Sequence, residues 1–126
     1  MMGNGIKSFR DLEIWKRSIS LAKKIYQISE AFPKTELYGL TTQLRRAAIS
    51  IPSNIAEGHT RRHTKEFRQF LHVALGSLAE VETLLVLAIE LKFIQQESAV
   101  PLQKEIEELS KMTNALLSKL KSKTQN

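Results

Sequence analysis

The chain has 126 residues, of which 42% are hydrophobic, and its 19 Lys and Arg against 13 Asp and Glu give a net charge of +6. This length suits one domain with a substantial core, and the apolar content excludes an intrinsically disordered chain. The sequence has no cysteine, which excludes disulfides, a thiolate nucleophile and a cysteine metal site.

A first helix is predicted over about residues 9–31, where Ser8 can cap the first turn and Asp11 can complete a capping box. Its apolar residues form two stripes, Leu12, Trp15, Ile19, Ala22 and Tyr26, and Ile14, Leu21, Ile25, Ile28 and Phe32. One stripe is sufficient for a bundle core, so the second predicts contact with more of that core or with another subunit. The remaining face is basic and contains Lys16, Arg17, Lys23 and Lys24. It predicts a second contact with nucleic acid, the alternative being a face that only keeps the protein soluble.

A second helix is predicted over about residues 36–57, with Thr35 as its cap and Gly39 as a weak point or a place of close backbone approach. Its apolar periodicity continues across Pro52 and consists of Leu40, Leu44, Ala47, Ala48, Ile51 and Ile55. We therefore expect a helix that is kinked at Pro52 and held by its neighbours, the alternative being a helix that ends at Ser50.

The end of this second helix contains two further informative residues. Gly58 suits the left-handed position just past a helix C-terminus, so we expect the helix to end before it. Asn54 lies beside the apolar face. It either forms specific hydrogen bonds that fix the packing register or satisfies backbone groups that Pro52 frees.

A third helix is predicted over about residues 65–92, capped by Thr64, and it is the most apolar of the four. Besides a broad core face it has a second seam at heptad-like spacing, made of Val73, Ser77, Glu80, Leu84 and Leu91. A carboxylate that leaves water needs a partner, so we expect Glu80 to pair with Arg45 or Arg46.

A fourth helix is predicted over about residues 99–121, with Ser98 as its cap and Pro101 in its first turn. Four helices joined by short turns predict an all-α protein, a single domain over residues 1–126 folded as an antiparallel up-down-up-down four-helix bundle. Three glutamates interrupt the apolar stretch from Leu71 to Ile94, so we expect a poor membrane span and no membrane partner.

The sequence contains no glycine-rich phosphate loop, GxSxG, HExxH or EF-hand loop. We therefore expect a protein that is not an enzyme and has no catalytic residue, metal or cofactor. His59 and His63 are four residues apart, but the predicted helix break after Gly58 and the nearby cations argue against a metal site. The start of the chain has no apolar core like that of a signal peptide, and we expect a cytoplasmic location.

The strongest local feature is a cationic cluster between the second and third helices, made of Arg61, Arg62, Lys65 and Arg68. Arginine is well shaped for phosphate, and backbone phosphate contacts are the main source of non-specific nucleic-acid affinity. The cluster therefore predicts a nucleic-acid contact, the alternative being a solvated charged turn. No aromatic platform is interleaved with it, so base stacking is not expected.

Three segments resemble the 23S rRNA intervening-sequence proteins, a family of four-helix bundles: LEIWKRSISLAKKIY, FPKTELYGLTTQLRRAAISIPSNIAEG and KEFRQFLHVALGSLAEVETLL. The resemblance spans about Phe9 to Ile94 and is most specific in SIPSNIAEG and GSLAE. The fourth helix resembles the family only in being an amphipathic helix. It brings no catalytic residues. The matching positions look structural or interfacial, and they are Asn54, Glu57, Gly58, Gly76, Ser77 and Glu80.

The resemblance implies an antiparallel four-helix fold and a ring-shaped homopentamer. A related protein, the accessory variability determinant of diversity-generating retroelements, is a basic pentamer that binds nucleic acid and a reverse transcriptase. From the net charge of +6, the basic face of the first helix and the arginine-rich turn, we expect a non-enzymatic homo-oligomer that binds RNA or DNA with little sequence specificity. The alternative is a protein-interaction scaffold or adaptor that presents its ring to a partner protein. We also expect Glu80→Ala to weaken folding or assembly more than Glu105→Ala.

Overall fold

A computed structural model describes residues 8–124, which form four α-helices and, within that range, no strand. The helices are α1 (Glu13–Ser29), α2 (Thr42–Thr60), α3 (Thr64–Glu90) and α4 (Gln96–Thr124). The predicted all-α class is confirmed, and the helices pack as a four-helix bundle.

The core lies between the helices and receives large side chains from all four. These side chains recur every three or four residues, as helical packing requires. Each contributes about 1.5–3 kcal/mol on burial. The largest fully buried ones are Leu21, Ile25, Leu44, Ile51, Ile55, Phe67, Leu71, Leu78, Leu85, Ile106, Leu109 and Leu120.

The start of α1 contains the predicted capping box, but the box closes a 3-10 turn and not the α-helix itself. The Ser8 hydroxyl accepts a hydrogen bond from the Arg10 N–H at 3.0 Å, and the Asp11 carboxylate accepts one from the Ser8 N–H at 3.3 Å. Leu12 is then extended, with φ −75° and ψ 128°, so α1 begins at Glu13 and not at residue 9.

The predicted start of the second helix, with Thr35 as its cap, is wrong because α2 begins only at Thr42. Gly39 adopts φ −119° and ψ −112°, outside the helical region. The Glu36 carboxylate accepts a hydrogen bond from the Leu40 N–H at 3.2 Å and so satisfies a backbone donor just after the break. Gly39 therefore acts as the weak point, the first of its two predicted roles.

Pro52 is buried inside α2, and the helix continues through it to Thr60. The alternative in which the helix ends at Ser50 is therefore wrong. An interior proline costs about 3 kcal/mol relative to alanine, because one backbone donor is lost and the ring crowds the preceding turn. Burial of the apolar residues on both sides of Pro52 offsets that cost.

Asn54 belongs to a hydrogen-bond network that connects α2 to α3. Its side-chain amide donates to the Ser50 carbonyl at 2.8 Å and to the Ser50 hydroxyl at 2.9 Å. The Ser50 hydroxyl in turn lies 2.8 Å from that of Ser77 on α3. The carbonyl that loses its donor at Pro52 is that of Ala48, four residues back, so Asn54 serves the packing register and not the freed carbonyl.

Gly58 lies inside α2, so its predicted left-handed position past the helix is wrong. The residue with positive φ in this turn is Arg62, at 60°. A Cβ at Gly58 would lie 2.5 Å from the Phe70 Cβ and 3.1 Å from the Phe67 Cδ1. Glycine is therefore required here because of space, since α2 and α3 approach each other closely at this point.

The starts of α3 and α4 differ from the predictions by one to three residues. Thr64 is the first residue of α3 and not its cap, and the cap position is occupied by His63, whose side chain forms no capping hydrogen bond. The α4 helix begins at Gln96, ahead of the predicted cap Ser98, so Pro101 lies deeper in the helix than expected. The remaining helix ends lie within three residues of the predicted ones.

By length and composition alone, α3 contains a window of 18 residues that is apolar enough to cross a membrane. The glutamates in this segment therefore do not make it too polar to qualify, contrary to the sequence-based expectation. A core helix meets the same criterion, and 39% of the residues in that window are buried inside the bundle.

Adding one methyl group to two glycines should have opposite effects. Gly58→Ala should lower the free energy of unfolding by about 1–3 kcal/mol, because the new Cβ overlaps Phe70 in a packed interior. Gly76→Ala should raise it by up to about 1 kcal/mol, since alanine favours a helix and nothing lies within 4 Å of the added carbon. Urea unfolding measures both, and a Gly58→Ala protein as stable as wild type contradicts the close approach.

Candidate nucleic-acid interface

The cationic cluster spans the three-residue connection between α2 and α3, residues 61–63, and the first turns of α3. Gly58 lets α3 pack against α2 up to this turn, and Arg62 reverses the chain with its φ of 60°. The side chains of Arg61, Arg62 and Lys65 are all exposed there. We call residues 59–68 the basic hairpin.

Arg61 is the most constrained cation of the basic hairpin. Its guanidinium lies 3.1 Å from the Glu57 carboxylate, 3.6 Å from that of Glu66, and 5.2 Å from the centroid of the Phe70 ring. Surface ion pairs contribute only about 0–1 kcal/mol each, but two acidic neighbours neutralise much of the charge. Arg61 therefore organises the hairpin, and Glu57, predicted to be a structural residue, is its partner.

Arg62 and Lys65 keep their charges available. Both are exposed, and neither forms an ion pair with any residue that the structure describes. The cap residue His63 leaves the first N–H groups of α3 without a side-chain partner. Free cations beside an uncapped helix N-terminus favour phosphate binding. Arg68, one turn further, is half-buried.

His59 is the first residue of the basic hairpin, and its ring packs edge-on against that of Phe67, with 5.6 Å between the ring centroids. Burial lowers the pKa of His59 below the usual 6.5, and the positive charge of Arg62 lowers it further. The negative charge of Asp11 raises the pKa but does not cancel these two effects. His59 is therefore mostly uncharged at neutral pH and adds little to the positive charge of the hairpin. No group of three or more potential metal ligands occurs among the residues that the structure describes.

The basic face of α1 contains one cation that is engaged within the bundle and three that are not. Arg17 donates to both carboxylate oxygens of Glu105 on α4, from Nε at 2.9 Å and from Nη2 at 2.7 Å. This hydrogen bonding is the main cause that raises the pKa of Arg17, and the charge of Glu105 adds to it. Lys16, Lys23 and Lys24 are exposed and without ion pairs to the described residues. Arg17 is therefore the weakest phosphate candidate of the four.

Arg45, expected beside Glu80, instead connects α2 to α1. Its Nε donates to the Ser29 hydroxyl at 2.8 Å, and its Nη2 lies 3.3 Å from the Glu30 carboxylate. Its guanidinium stacks over the Tyr26 ring at 4.6 Å. A half-buried guanidinium with a hydroxyl, a carboxylate and a ring around it fixes the contact between the two helices.

The expected salt bridge of Glu80 with Arg45 or Arg46 is wrong. Glu80 is exposed, and its only hydrogen bond within the described residues comes from the Gln43 amide at 3.4 Å. Arg46 is exposed too and pairs with no described carboxylate. The seam that contains Glu80 lies on the outside of a single copy, where its carboxylate stays hydrated and needs no partner.

Sequence reasoning did not single out Glu105 or Ser29 as partners. The available signal was weak, because Glu105 is one of several acidic residues early in α4 and a serine in a helix is common. The Arg17–Glu105 pair joins positions 88 residues apart. Periodicity shows which residues share a face of one helix, but not which faces of two helices meet.

A cleft of about 330 Å³ lies where α1 leads into α2, at the opposite end of α2 from the basic hairpin. Its lining includes apolar residues, the Lys34 ammonium and the Arg45 guanidinium, but no histidine, cysteine or aspartate. The Glu30 carboxylate also lines the cleft and pairs with Arg45, so the site offers apolar contact and one cation, Lys34, that is not so paired.

Comparison with known proteins supports the resemblance. The profile of the family described as 23S rRNA-intervening sequence protein matches residues 10–115. A crystal structure of a protein of unknown function from the S23 ribosomal protein family of Bacteroides thetaiotaomicron is similar, with a TM-score of 0.74 and 22% identity over 82% of this chain and 97% of that one. At this identity the likeness shows the fold. No curated protein matches the sequence.

The Arg17–Glu105 pair should contribute to folding. Glu105→Ala leaves the half-buried guanidinium without its carboxylate, so we expect a loss of about 1 kcal/mol and a melting temperature lower by about 4 °C. The matched control is Glu107→Ala, an exposed carboxylate on the same helix. Equal melting temperatures of the two variants would contradict a stabilising role for the Arg17–Glu105 pair, which we call the Arg17–Glu105 clamp. We therefore now expect Glu105→Ala to destabilise the fold more than Glu80→Ala, the reverse of the expectation from the sequence.

Stability should depend on pH through His59. Its pKa is lowered on folding, so the unfolded chain binds the proton more tightly. The stabilisation is complete above about pH 6.5 and is lost as the pH falls below that value. His59→Gln should flatten the curve of unfolding free energy between pH 7 and pH 5, while the exposed His72→Gln control should not. If His59→Gln shows the same pH dependence of the unfolding free energy as wild type, His59 is not the group responsible.

Proposed function

The chain belongs to the 23S rRNA-intervening sequence protein family, and we propose that it is a non-enzymatic, cytoplasmic homo-oligomer that binds RNA or DNA through phosphate contacts. A pentamer is the assembly that its resemblance to this family implies. The proposal takes the bundle in its antiparallel up-down-up-down form.

The contacts between neighbouring helices support that form. Gly58 meets Phe70, whereas Ser50 meets Ser77, so residue numbers rise on α3 as they fall on α2. The connections are short, since residues 61–63 join α2 to α3 and residues 91–95 join α3 to α4. Connections of this length join neighbouring helices that run in opposite directions.

The observation that carries the nucleic-acid proposal is the pair of free cations at the start of α3. Arg62 and Lys65 are exposed and without ion pairs to the described residues, while the N-terminus of α3 next to them has no side-chain cap. Fork-shaped guanidinium, ammonium and backbone N–H groups are all phosphate donors. None of these groups distinguishes one base from another, so the proposed binding has little sequence specificity.

The lysines of α1 form a second candidate surface. Lys16, Lys23 and Lys24 lie on the outside of the bundle, and the net charge of +6 makes the whole protein attractive to a polyanion. Several copies held in one assembly would multiply the number of phosphate contacts, because the second contact is made at a high effective concentration.

The homo-oligomer part of the proposal is supported by apolar surface that one copy leaves exposed. On α1, Ile19 and Tyr26 belong to the same apolar stripe, and their side chains are 44% and 40% exposed. On α3, Val73 is 51% and Leu91 49% exposed. Large apolar side chains left exposed along one face of a helix support an interaction site there.

A protein-interaction scaffold is the second candidate, and the cleft between α1 and α2 favours it. The cleft combines the apolar side chains of Phe32 and Leu37 with Lys34, while its Arg45 is already paired with Glu30. Such a lining suits an apolar segment of a partner protein that carries an acidic group for Lys34. A protein that assembles but binds no nucleic acid at low salt would favour this candidate.

Salt-dependent binding tests the nucleic-acid proposal. A fluorescently labelled duplex is titrated with protein at a series of salt concentrations, and we expect affinity to fall steeply as salt rises. Arg62→Asn with Lys65→Gln should reduce the slope of log K against log salt by about 1 for each lost phosphate contact. Asparagine is chosen because it tolerates the positive φ of Arg62.

The control removes two exposed lysines of α4, in the variant Lys104→Gln with Lys111→Gln. It changes the net charge by the same amount, away from the basic hairpin. If both double variants weaken binding equally, the basic hairpin is not the contact surface. If the wild-type protein does not bind at low salt, the nucleic-acid proposal is wrong.

A further inference from the structure

We propose that the exposed strip of α3 in one copy packs against a strip between α1 and α2 in the next copy, with Glu80 of the first beside Lys23 of the second. The inference rests on the proposed homo-oligomer and assigns its contact surfaces. The occupant of each strip is therefore a second copy of this chain.

The first strip lies along the groove between α1 and α2. Tyr26 contacts Arg45 across this groove, Ile19 lies two turns before Tyr26, and Ile49 lies one turn after Arg45. Residues separated by one or two turns share a helix face, so Ile19, Tyr26 and Ile49 all border the groove. Their exposed fractions are 44%, 40% and 43%.

The second strip follows α3 along one line. Val73, Glu80 and Leu87 are seven residues apart, and Leu91 lies one turn beyond, so all four share a face. Val73, Leu87 and Leu91 are 51%, 43% and 49% exposed. The hydrogen bond between Gln43 and Glu80 places this strip next to α2, on the opposite side of α2 from the first strip.

The two strips correspond in height along the bundle. Ser50 bonds to Ser77, so Glu80, three residues on, is level with Ala47. Arg45 stacks on Tyr26, so Ala47 is about level with Lys23 on α1. A flat ring with cyclic symmetry joins points of equal height on neighbouring copies, which brings Glu80 to Lys23.

The same correspondence holds at the ends of the strips. Val73 comes level with Lys16, about one turn before Ile19 on α1. Leu91 comes level with the turn that contains Leu37 and Tyr38, which are 46% and 93% exposed. Tyr38 is almost entirely in solvent in a single copy, and a neighbouring apolar helix end would cover it.

The charges bordering the strips are complementary. Glu80 lies within the apolar strip of α3, whereas Lys16 and Lys23 border the strip of α1. Glu30, which also lies near the first strip, is paired with Arg45 at 3.3 Å. Opposite charges on the two surfaces favour contact between unlike strips and disfavour contact between two α3 strips, because the latter brings carboxylates together.

The angle between the strips favours a small closed ring. They lie on adjacent sides of a four-helix bundle, about a quarter turn apart around its axis. In a ring the two contact faces of one copy make an angle of about 90° for four copies and about 108° for five. Different strips in contact at such an angle give head-to-tail closure and not a two-fold dimer.

Charge reversal at the proposed pair tests the assignment. Lys23→Glu and Glu80→Lys should each raise the dissociation constant of the assembly by at least about tenfold, because like charges meet. The double variant Lys23→Glu with Glu80→Lys restores the pair in reversed order and should reassemble. Light scattering coupled to size exclusion reports the mass over a dilution series, and circular dichroism confirms that each variant is helical.

The controls reverse charges that the strips do not contain, in Lys24→Glu and Glu82→Lys, and they should assemble like wild type. Val73→Asp, which changes the apolar part of the α3 strip, should dissociate the assembly. If the wild type assembles but the strip variants behave like the controls, the assignment of surfaces is wrong while the homo-oligomer stands. If the wild type is a monomer at every concentration, the homo-oligomer and this inference both fail.

Discussion

The close approach of α2 and α3 is the constraint on which the rest of the structure depends. Gly58 leaves no room for a Cβ against Phe70, and Asn54, Ser50 and Ser77 form a hydrogen-bonded network one to two turns away. Small side chains let the two helices approach, and the network fixes which residues face each other. The three-residue connection follows from this packing, and so does the position of the cations on it. The same register sets the height of Glu80 on the outer face of α3.

The structure separates the positive charges into two classes that a count of lysines and arginines does not distinguish. Arg17, Arg45 and Arg61 are engaged with Glu105, Glu30 and Glu57 respectively, so they hold elements of the fold together. Arg62, Lys65 and the lysines of α1 are exposed and form no such pairs with the described residues. A polyanion would meet Arg62, Lys65 and Lys24, since Lys16 and Lys23 border the proposed contact between copies. Replacing the first class would perturb the fold before it perturbed binding.

Periodicity and turn chemistry predicted the number of helices, their faces and the continuity of α2 through Pro52, because these features depend on residues close in sequence. Gly58 was misassigned because a glycine near a helix end suggests a left-handed turn, whereas here it provides space for Phe70. Glu80 was misassigned because a seam position was taken as buried within one copy. The Arg17–Glu105 clamp was missed because its partners lie on different helices, and sequence spacing does not show which helix faces meet.

The central claim is that one copy leaves apolar surface on α1 and α3 that other copies cover, so that the basic hairpins are displayed together. The most direct measurement is sedimentation velocity of nuclease-treated wild-type protein over a wide range of concentration. The account predicts one dominant species at about five times the chain mass of 14.3 kDa, dissociating only on strong dilution. A single species at the mass of one chain at every concentration would contradict it.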